Sequence, residues 1–326
     1  MRANLHMHTT RSHDVAKEIE GISAIPLIKE CSKAGISVIS ITEHDKFDKD
    51  YFRECSFARS RGVVLVPGVE FDAEYENLEG LHILAYFHWP KHWRKQDWLK
   101  KQIHKLTLPK TRQRQINYNT VVHALVQNGY LKEKAIMKRQ KHSGSMITSK
   151  VPLAYLLMNP DYTYERFIFQ SEYAAYKFVS EFYKSFHFED QESEDVVKEA
   201  PELVRLVKSL GGITSVAHPL RIKRGGKYID INEVKQLVNS VHFDGIEVFY
   251  PYDFFISNAT KDDCNKMVES LESLALKERL IVTGGSDFHG YKTRAKPYDI
   301  DRISLPHNYT LRFIERLKIQ PPQNKK

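Results

Sequence analysis

Ile36-Ser-Val-Ile-Ser-Ile-Thr42, followed at once by Glu43-His44-Asp45, decides the fold. The run is rich in β-branched residues and mostly apolar, as in a strand buried on both faces, and the helical stretch before it stops at Gly35. Imidazole and carboxylate groups then sit immediately past the end of the strand. The arrangement recurs outward along the chain. Val63-Val-Leu-Val-Pro-Gly-Val69 runs into Glu70, and His82-Ile-Leu-Ala-Tyr86 begins with its histidine. Residues 4–7 open the series. After about residue 195, a helix over 203–210 ends at Gly211-Gly212 and a strand over 213–217 precedes His218. A helix over 232–240, a strand over 245–249, a helix over 262–276 and a strand over 280–283 follow, leading to Gly285-Ser-Asp287-Phe-His289. Strands that alternate with helices predict an α/β fold with a parallel sheet or barrel.

The 326 residues are long enough for one large domain or two smaller ones with a substantial core. At 41% hydrophobic and 28% charged residues, the composition excludes wholesale disorder and a fibrous architecture. No run approaches the ~20 apolar residues of a membrane span, and the first ten residues lack a secretory apolar stretch. The three cysteines, Cys31, Cys55 and Cys264, are far apart and form no C-x-x-C pair, which argues against disulfide and zinc-finger scaffolds. A cytoplasmic location with no membrane partner is the expectation.

Net charge is +8, but it is unevenly placed. Residues 89–150 hold 15 Lys and Arg against Asp97 and Glu133, a net +13 that leaves −5 on the rest. Such a block suits a polyanionic partner or substrate; the alternative is a solvated basic face. The stretch from 90 to about 190 is helical by composition, basic in its first half and aromatic in its second, from Tyr162 to Phe186. Those aromatics suit a small core of their own better than a platform for stacking bases. Because the strand–helix alternation resumes afterwards, residues 90–194 read as a helical insertion in a discontinuous domain of residues 1–89 and 195–319. Residues 320–326 read as a frayed tail.

His6-Met-His8 on a strand would point both imidazoles to the same face. With 15 histidines in the chain, chance alone gives about 0.7 such pairs, so the pair decides nothing by itself. The other ligand-type residues change that. Glu43, His44, Asp45, Glu70, His218, Asp287 and His289 lie at or just past the C-terminal ends of strands, which meet at one rim of a βα barrel. Each has a bland alternative as a structural histidine or a helix cap. A shared metal site accounts for the whole set. Imidazole and carboxylate without thiolate suit manganese, zinc or iron. Such ions lower the pKa of bound water and neutralise a phosphoryl oxygen, and no nucleophilic Ser or Cys motif or Gly-rich phosphate loop competes. The chemistry expected is hydrolysis.

Taken together, His6-x-His8, Glu43-His44-Asp45, Gly68-Val-Glu70, His82-Ile-Leu, Ala217-His-Pro219, Gly245-Ile-Glu-Val-Phe249 and Gly285-Ser-Asp-Phe-His-Gly290 resemble the PHP (polymerase and histidinol phosphatase) superfamily of metal-dependent phosphoesterases. The words occur in that family's order and cover about two thirds of the chain. The nearest likeness is to the branch with a helical insertion, whose members hydrolyse nucleoside 3′,5′-bisphosphates or trim RNA 5′ ends. The resemblance implies a distorted (β/α)7 TIM-like barrel holding two or three divalent metals. It implies His6, His8, Glu70 and Asp287 at one metal; a bridging Glu70 with His82 and His218 at a second; and His44, His289 and an acid after the H-x-H pair at a third. Glu70, His218 and Asp287 are then the residues on which catalysis depends most.

This chain departs from the family pattern at two places. Glu43 stands where the family has Asp before the histidine. In Ser12-His13-Asp14, His13 falls where the family has Asp, so either His13 or Asp14 would serve the third metal. Arg221, three residues after His218, and the Lys292, Arg294, Lys296 group are candidates to contact substrate phosphate. In the insertion, Arg112, Arg114, Lys138, Arg139 and Lys141 are candidates to track a nucleic-acid backbone. The leading expectation is a metal-dependent phosphoesterase acting on a phosphorylated nucleotide or nucleic-acid end. The alternatives are a nuclease subunit of a larger complex that uses the insertion to hold DNA or RNA, and a non-catalytic scaffold whose insertion binds nucleic acid or a protein partner.

Overall fold

The computed structural model describes residues 1–12, 15, 21–47, 50–90, 93–136, 150–185, 197, 199–256, 259–293 and 296–319. His13, Asp14, Lys138, Arg139, Lys141 and Arg294 lie outside them, as do the side chains of Arg112, Arg114, Lys292 and Lys296.

Seven strands form one sheet: β1 (Ala3–Asn4), β2 (Val38–Ile41), β3 (Val64–Ala73), β4 (Leu81–Phe87), β5 (Gly212–Val216), β6 (Gly245–Phe249) and β7 (Ile281–Gly284), neighbours in that order. The last strand comes back to the first. Leu5 N donates to Gly284 O at 3.0 Å, Asp287 N to His6 O at 2.9 Å and His8 N to Phe288 O at 2.8 Å. The sheet is therefore a nearly closed, TIM-like barrel flanked by helices. Closure requires Gly285, because a Cβ there would stand 2.4 Å from His6 N and 2.5 Å from His6 Cβ.

One expectation is corrected. The strands are not uniformly parallel: β4 runs antiparallel to both β3 and β5, whereas the remaining pairs are parallel. The reason is the short link from Ala73 to Leu81, which turns the chain straight back where a parallel neighbour would need a crossover of a dozen or more residues. The reversal matters for the site. The start of β4 lies at the same rim as the ends of the parallel strands, so His82, second in its strand, faces the same rim as Glu70 and Asp287.

Helices α1 (Ala24–Lys33), α2 (Tyr51–Ser60), α6 (Ala200–Ser209), α7 (Ile231–Val241), α8 (Lys261–Lys277) and α9 (His307–Arg316) flank the sheet, with α3 (Trp93–Gln127), α4 (Lys150–Met158) and α5 (Glu172–Ser185) between the two strand-rich parts. Their limits have local causes. Asp230 and Glu233 close a capping box on α7, and Thr260 and Asp263 close another on α8. Gly35 and Gly211 take left-handed φ angles of 72° and 74° just past α1 and α6, where a Cβ would be strained.

One hydrophobic cluster fills the barrel and its helix layer, and it includes Leu99 and Ile103 of α3. A second is built from Tyr118, Val121, Val122 and Leu125 of α3 with Leu153, Leu157, Ala175 and Val179. Tyr162, Phe169, Phe178 and Phe182 pack against it, whereas Tyr164 and Tyr176 are exposed. All three cysteines are free thiols. No helix among the described residues is long and apolar enough to cross a membrane.

Candidate metal centre

The site forms where the barrel rim gathers side chains that are far apart in sequence. His6 and His8, past β1, share a face because side chains of an extended chain alternate with period two. Glu70 is an interior residue of β3, held by Glu70 N to Glu43 O (3.3 Å) and Asp45 N to Glu70 O (2.7 Å). His44 bridges to Glu70 on the loop after β2, His82 enters from β4, His218 follows β5, and Asp287 and His289 follow β7.

Glu70 is the hub. Its Oε2 lies 3.0 Å from His6 Nε2, 3.1 Å from His8 Nε2 and 3.4 Å from His44 Nε2. Its Oε1 lies 2.8 Å from His82 Nδ1 and 3.4 Å from His218 Nε2. Asp287 Oδ1 is 3.3 Å from both His6 Nε2 and His8 Nε2. Three groups offer ligand atoms within 4.8 Å of one another: His6, His8, Glu70 and Asp287; His44, Glu70 and His82; and His8, His44 and His289. The first group is the set the family likeness implies for one metal. In the second, His44 joins Glu70 and His82, with His218 beside the same carboxylate. In the third, His8 accompanies His44 and His289.

The electrostatics reflect crowded opposite charges in a buried site. Burial opposes charging His6, but the carboxylates of Glu70, Glu247 and Asp287 outweigh it and raise its pKa well above the imidazole norm. Burial likewise opposes ionising Glu70 and Asp287. The facing histidines win, chiefly His44 and His6 for Glu70 and His6 and His289 for Asp287, and hold both carboxyls well below their ordinary range. Burial, aided by Arg221 and His82, pushes His218 down to about 3, so it is a neutral imidazole across the physiological range.

The donor set fits a cation. His8 is fully buried with Nε2 facing two carboxylates, and among the described residues neither its Nδ1 nor that of His218 has a hydrogen-bond partner. Buried polar nitrogens are seldom left so. His6 has Nδ1 on Glu247 at 3.0 and 3.2 Å, so its Nε2 faces Glu70 and Asp287 with a lone pair unless a proton or metal ion lies between. The backbone is strained here as well. Asp45, His218 and Asp287 have φ of 44°, 28° and 51°, a left-handed region that non-glycine residues enter at a cost.

Two supporting residues, Glu247 and Tyr250, escaped the sequence reading. Glu247 is fully buried in β6, and besides His6 it accepts His218 N at 2.7 Å. Burial pushes its pKa up against the pull of His6. The available signal was a single carboxylate inside the apolar word Gly245-Ile-Glu-Val-Phe249, a placement that is costly unless the charge is partnered. Tyr250 OH donates to Asp287 Oδ2 at 2.8 Å and receives a hydrogen bond from Arg221, whose Nη1 is 3.3 Å from the same carboxylate oxygen. Glu43 accepts from Thr9 N and Thr9 Oγ1, fixing the turn after His8. Glu43 therefore spans to a neighbouring loop.

No family model and no curated protein matches this sequence. Solved structures do. A protein from Bifidobacterium adolescentis assigned as a metal-dependent phosphoesterase superposes with TM-score 0.66 at 18% identity, covering 96% of both chains. An amidohydrolase from Chromobacterium violaceum, solved with sulfate and without metal, superposes with TM-score 0.53 at 18% identity, covering 99% of both chains. At this identity the likeness shows the fold.

Proposed function

We propose that this chain is a metal-dependent phosphoesterase that hydrolyses a phosphate ester of a nucleotide or nucleic-acid end. One observation carries the reading: six histidines, Glu70 and Asp287 from six strands or strand ends meet at one barrel rim, with ligand atoms in groups of three or four. The solved neighbours, a phosphoesterase and a sulfate-bound amidohydrolase, support a hydrolase on this fold.

Bound divalent cations would lower the pKa of water and neutralise charge on a phosphoryl oxygen. His6, His8, Glu70 and Asp287 would hold one ion. His44, His82, His218 and His289, sharing Glu70 and His8, would hold one or two more, of manganese, zinc or iron. The remaining chemistry belongs to the protein. Glu247 accepts a hydrogen bond from Nδ1–H of His6 and so turns Nε2 toward the centre. His218 stays neutral, so its imidazole is free of a competing proton and can coordinate. Arg221 lies over the Phe255 ring at 4.7 Å, and Asp287 and Tyr250 hold its guanidinium toward the centre, in place to meet a phosphoryl oxygen. Burial of Glu70, Asp287, Glu247 and Glu43 keeps bulk water from screening these charges.

A nuclease reading has its own support. On α3, Arg94, Trp98, Lys101 and Lys105 fall at i, i+4, i+7 and i+11 and are all exposed, opposite the buried Leu99 and Ile103. A basic stripe with an aromatic in it suits a single strand. Loading the protein with Mn, Zn or Fe(II) and comparing phosphate release from a nucleoside 3′,5′-bisphosphate with shortening of a labelled oligonucleotide tests both. Phosphate release from the bisphosphate supports the first reading, and reaction of the oligonucleotide alone supports the second. Inertness toward both with every metal would overturn the phosphoesterase assignment.

A further inference from the structure

Flanked in the chain by His82 and Arg221 is a small sheet with no counterpart in the motifs read above. Lys223–Arg224 and Lys227–Tyr228 form a hairpin through Gly225 and Gly226, both at positive φ, and Leu78–Glu79 adds a third strand. Both neighbours of this sheet are site residues: Leu78–Glu79 lies just before His82, and the hairpin starts two residues after Arg221, whose guanidinium reaches Asp287. Two residues span at most ~7 Å, so Lys223 starts within that distance of Arg221, whose side chain reaches the centre.

The two faces of the hairpin differ. Ile222 and Ile229 are buried, and Arg224 on that side is engaged by Glu76 and Glu233 at 3.2 Å each. On the other face Lys223 pairs in register with Tyr228, and its ammonium lies 5.0 Å from the ring centroid. Tyr228 is 48% exposed. Glu79 is opposite Lys223, but its carboxylate accepts Gly226 N, and no described carboxylate forms an ion pair with Lys223.

We propose that Tyr228 and Lys223 form a subsite for one nucleotide of the substrate, with the base stacked on the Tyr228 ring and its phosphate on Lys223. An exposed aromatic ring takes any base by its π-face, and a neighbouring ammonium supplies the charge. The subsite makes the enzyme selective for nucleotide esters over simple phosphate esters, and it rests on the phosphoesterase reading given above.

The test uses the metal-loaded full chain with phenyl phosphate, a nucleoside 3′,5′-bisphosphate and a 5′-phosphorylated trinucleotide. Tyr228→Ala and Lys223→Gln should each lower the ratio of kcat/KM for a nucleotide substrate to that for phenyl phosphate by about tenfold, through KM, while Tyr228→Phe keeps the ratio. Loss on the bisphosphate places the reacting nucleotide at Tyr228; loss on the trinucleotide alone places the next one there. An unchanged ratio on both, or an equal loss on phenyl phosphate, overturns the subsite. If the unmutated protein hydrolyses none of the three, the phosphoesterase reading falls, and binding of a labelled trinucleotide to the metal-free protein decides the subsite separately. About tenfold weaker binding in the two variants sustains it, and unchanged binding refutes it.

Discussion

Glu247 Oε1 lies 3.0 Å from Nδ1 of His6, and both side chains are fully buried. This contact sets which nitrogen of the first histidine faces the centre, and the same carboxylate anchors His218 through its backbone amide. Removing it should act on the metal without touching a ligand. Glu247→Ala should weaken metal binding by about 10–100-fold, read by competition with a chromogenic chelator. Glu247→Gln, which still accepts a hydrogen bond, should lose less. Equal affinity in Glu247→Ala and the parent protein would mean that the contact plays no part in positioning.

The three ligand acids and bases named from the sequence should differ in severity. Asp287→Ala and His218→Ala should each cut phosphate-ester turnover by at least about 100-fold while thermal unfolding remains cooperative. Glu70→Ala should be worst, because five imidazoles face its two oxygens. Turnover near the parent value in any clean variant would contradict its assignment.

Metal binding should release protons. His6 is raised by Glu70, Glu247 and Asp287, so in the metal-free protein it keeps its proton to pH values above the imidazole norm. A cation must displace that proton. Apparent affinity should therefore rise with pH until it passes the raised His6 value, then level off. Calorimetry at pH 7 in buffers of different ionisation enthalpy should report close to one proton released at this position. Heats independent of the buffer would show that no proton leaves.

Gly285→Ala tests how the barrel closes. The added Cβ would lie 2.4 Å from His6 N, a backbone atom that cannot swing aside. Overpacking of this kind costs about 1–3 kcal/mol, so the melting temperature should fall by several degrees, with reduced metal affinity as His6 shifts. An unchanged melting temperature would show that β1 and β7 can part freely.

Much of the fold could be read from the sequence because the β-branched runs before His44, Glu70 and His218 are strong local signals and the glycines after the helices punctuate them. The rim rule gathered residues from His6 to His289 for the same reason: strand ends in a barrel converge whatever their distance in sequence. The reversal of β4 could not be read, since strand direction depends on the short link from Ala73 to Leu81 and not on the strand's own apolar pattern. Glu247 was hidden because its strand reads as core, and only the pairing with His6 explains a carboxylate there. Tyr250, Gly285 and the hairpin before Ile229 depend on tertiary neighbours that no local pattern encodes. His13 and Asp14 lie outside the described residues, as do the basic side chains expected to meet nucleic acid in the second half of α3 and beyond.

The central claim is that these imidazoles and carboxylates hold shared cations. Elemental analysis of the purified chain, followed by dialysis against Mn, Zn or Fe(II) and removal of excess, measures this most directly. The account predicts about two or three transition-metal ions per chain, reduced by at least one in Glu70→Ala. A chain that retains none after reconstitution, or a Glu70→Ala variant that retains as many as the parent, would contradict it.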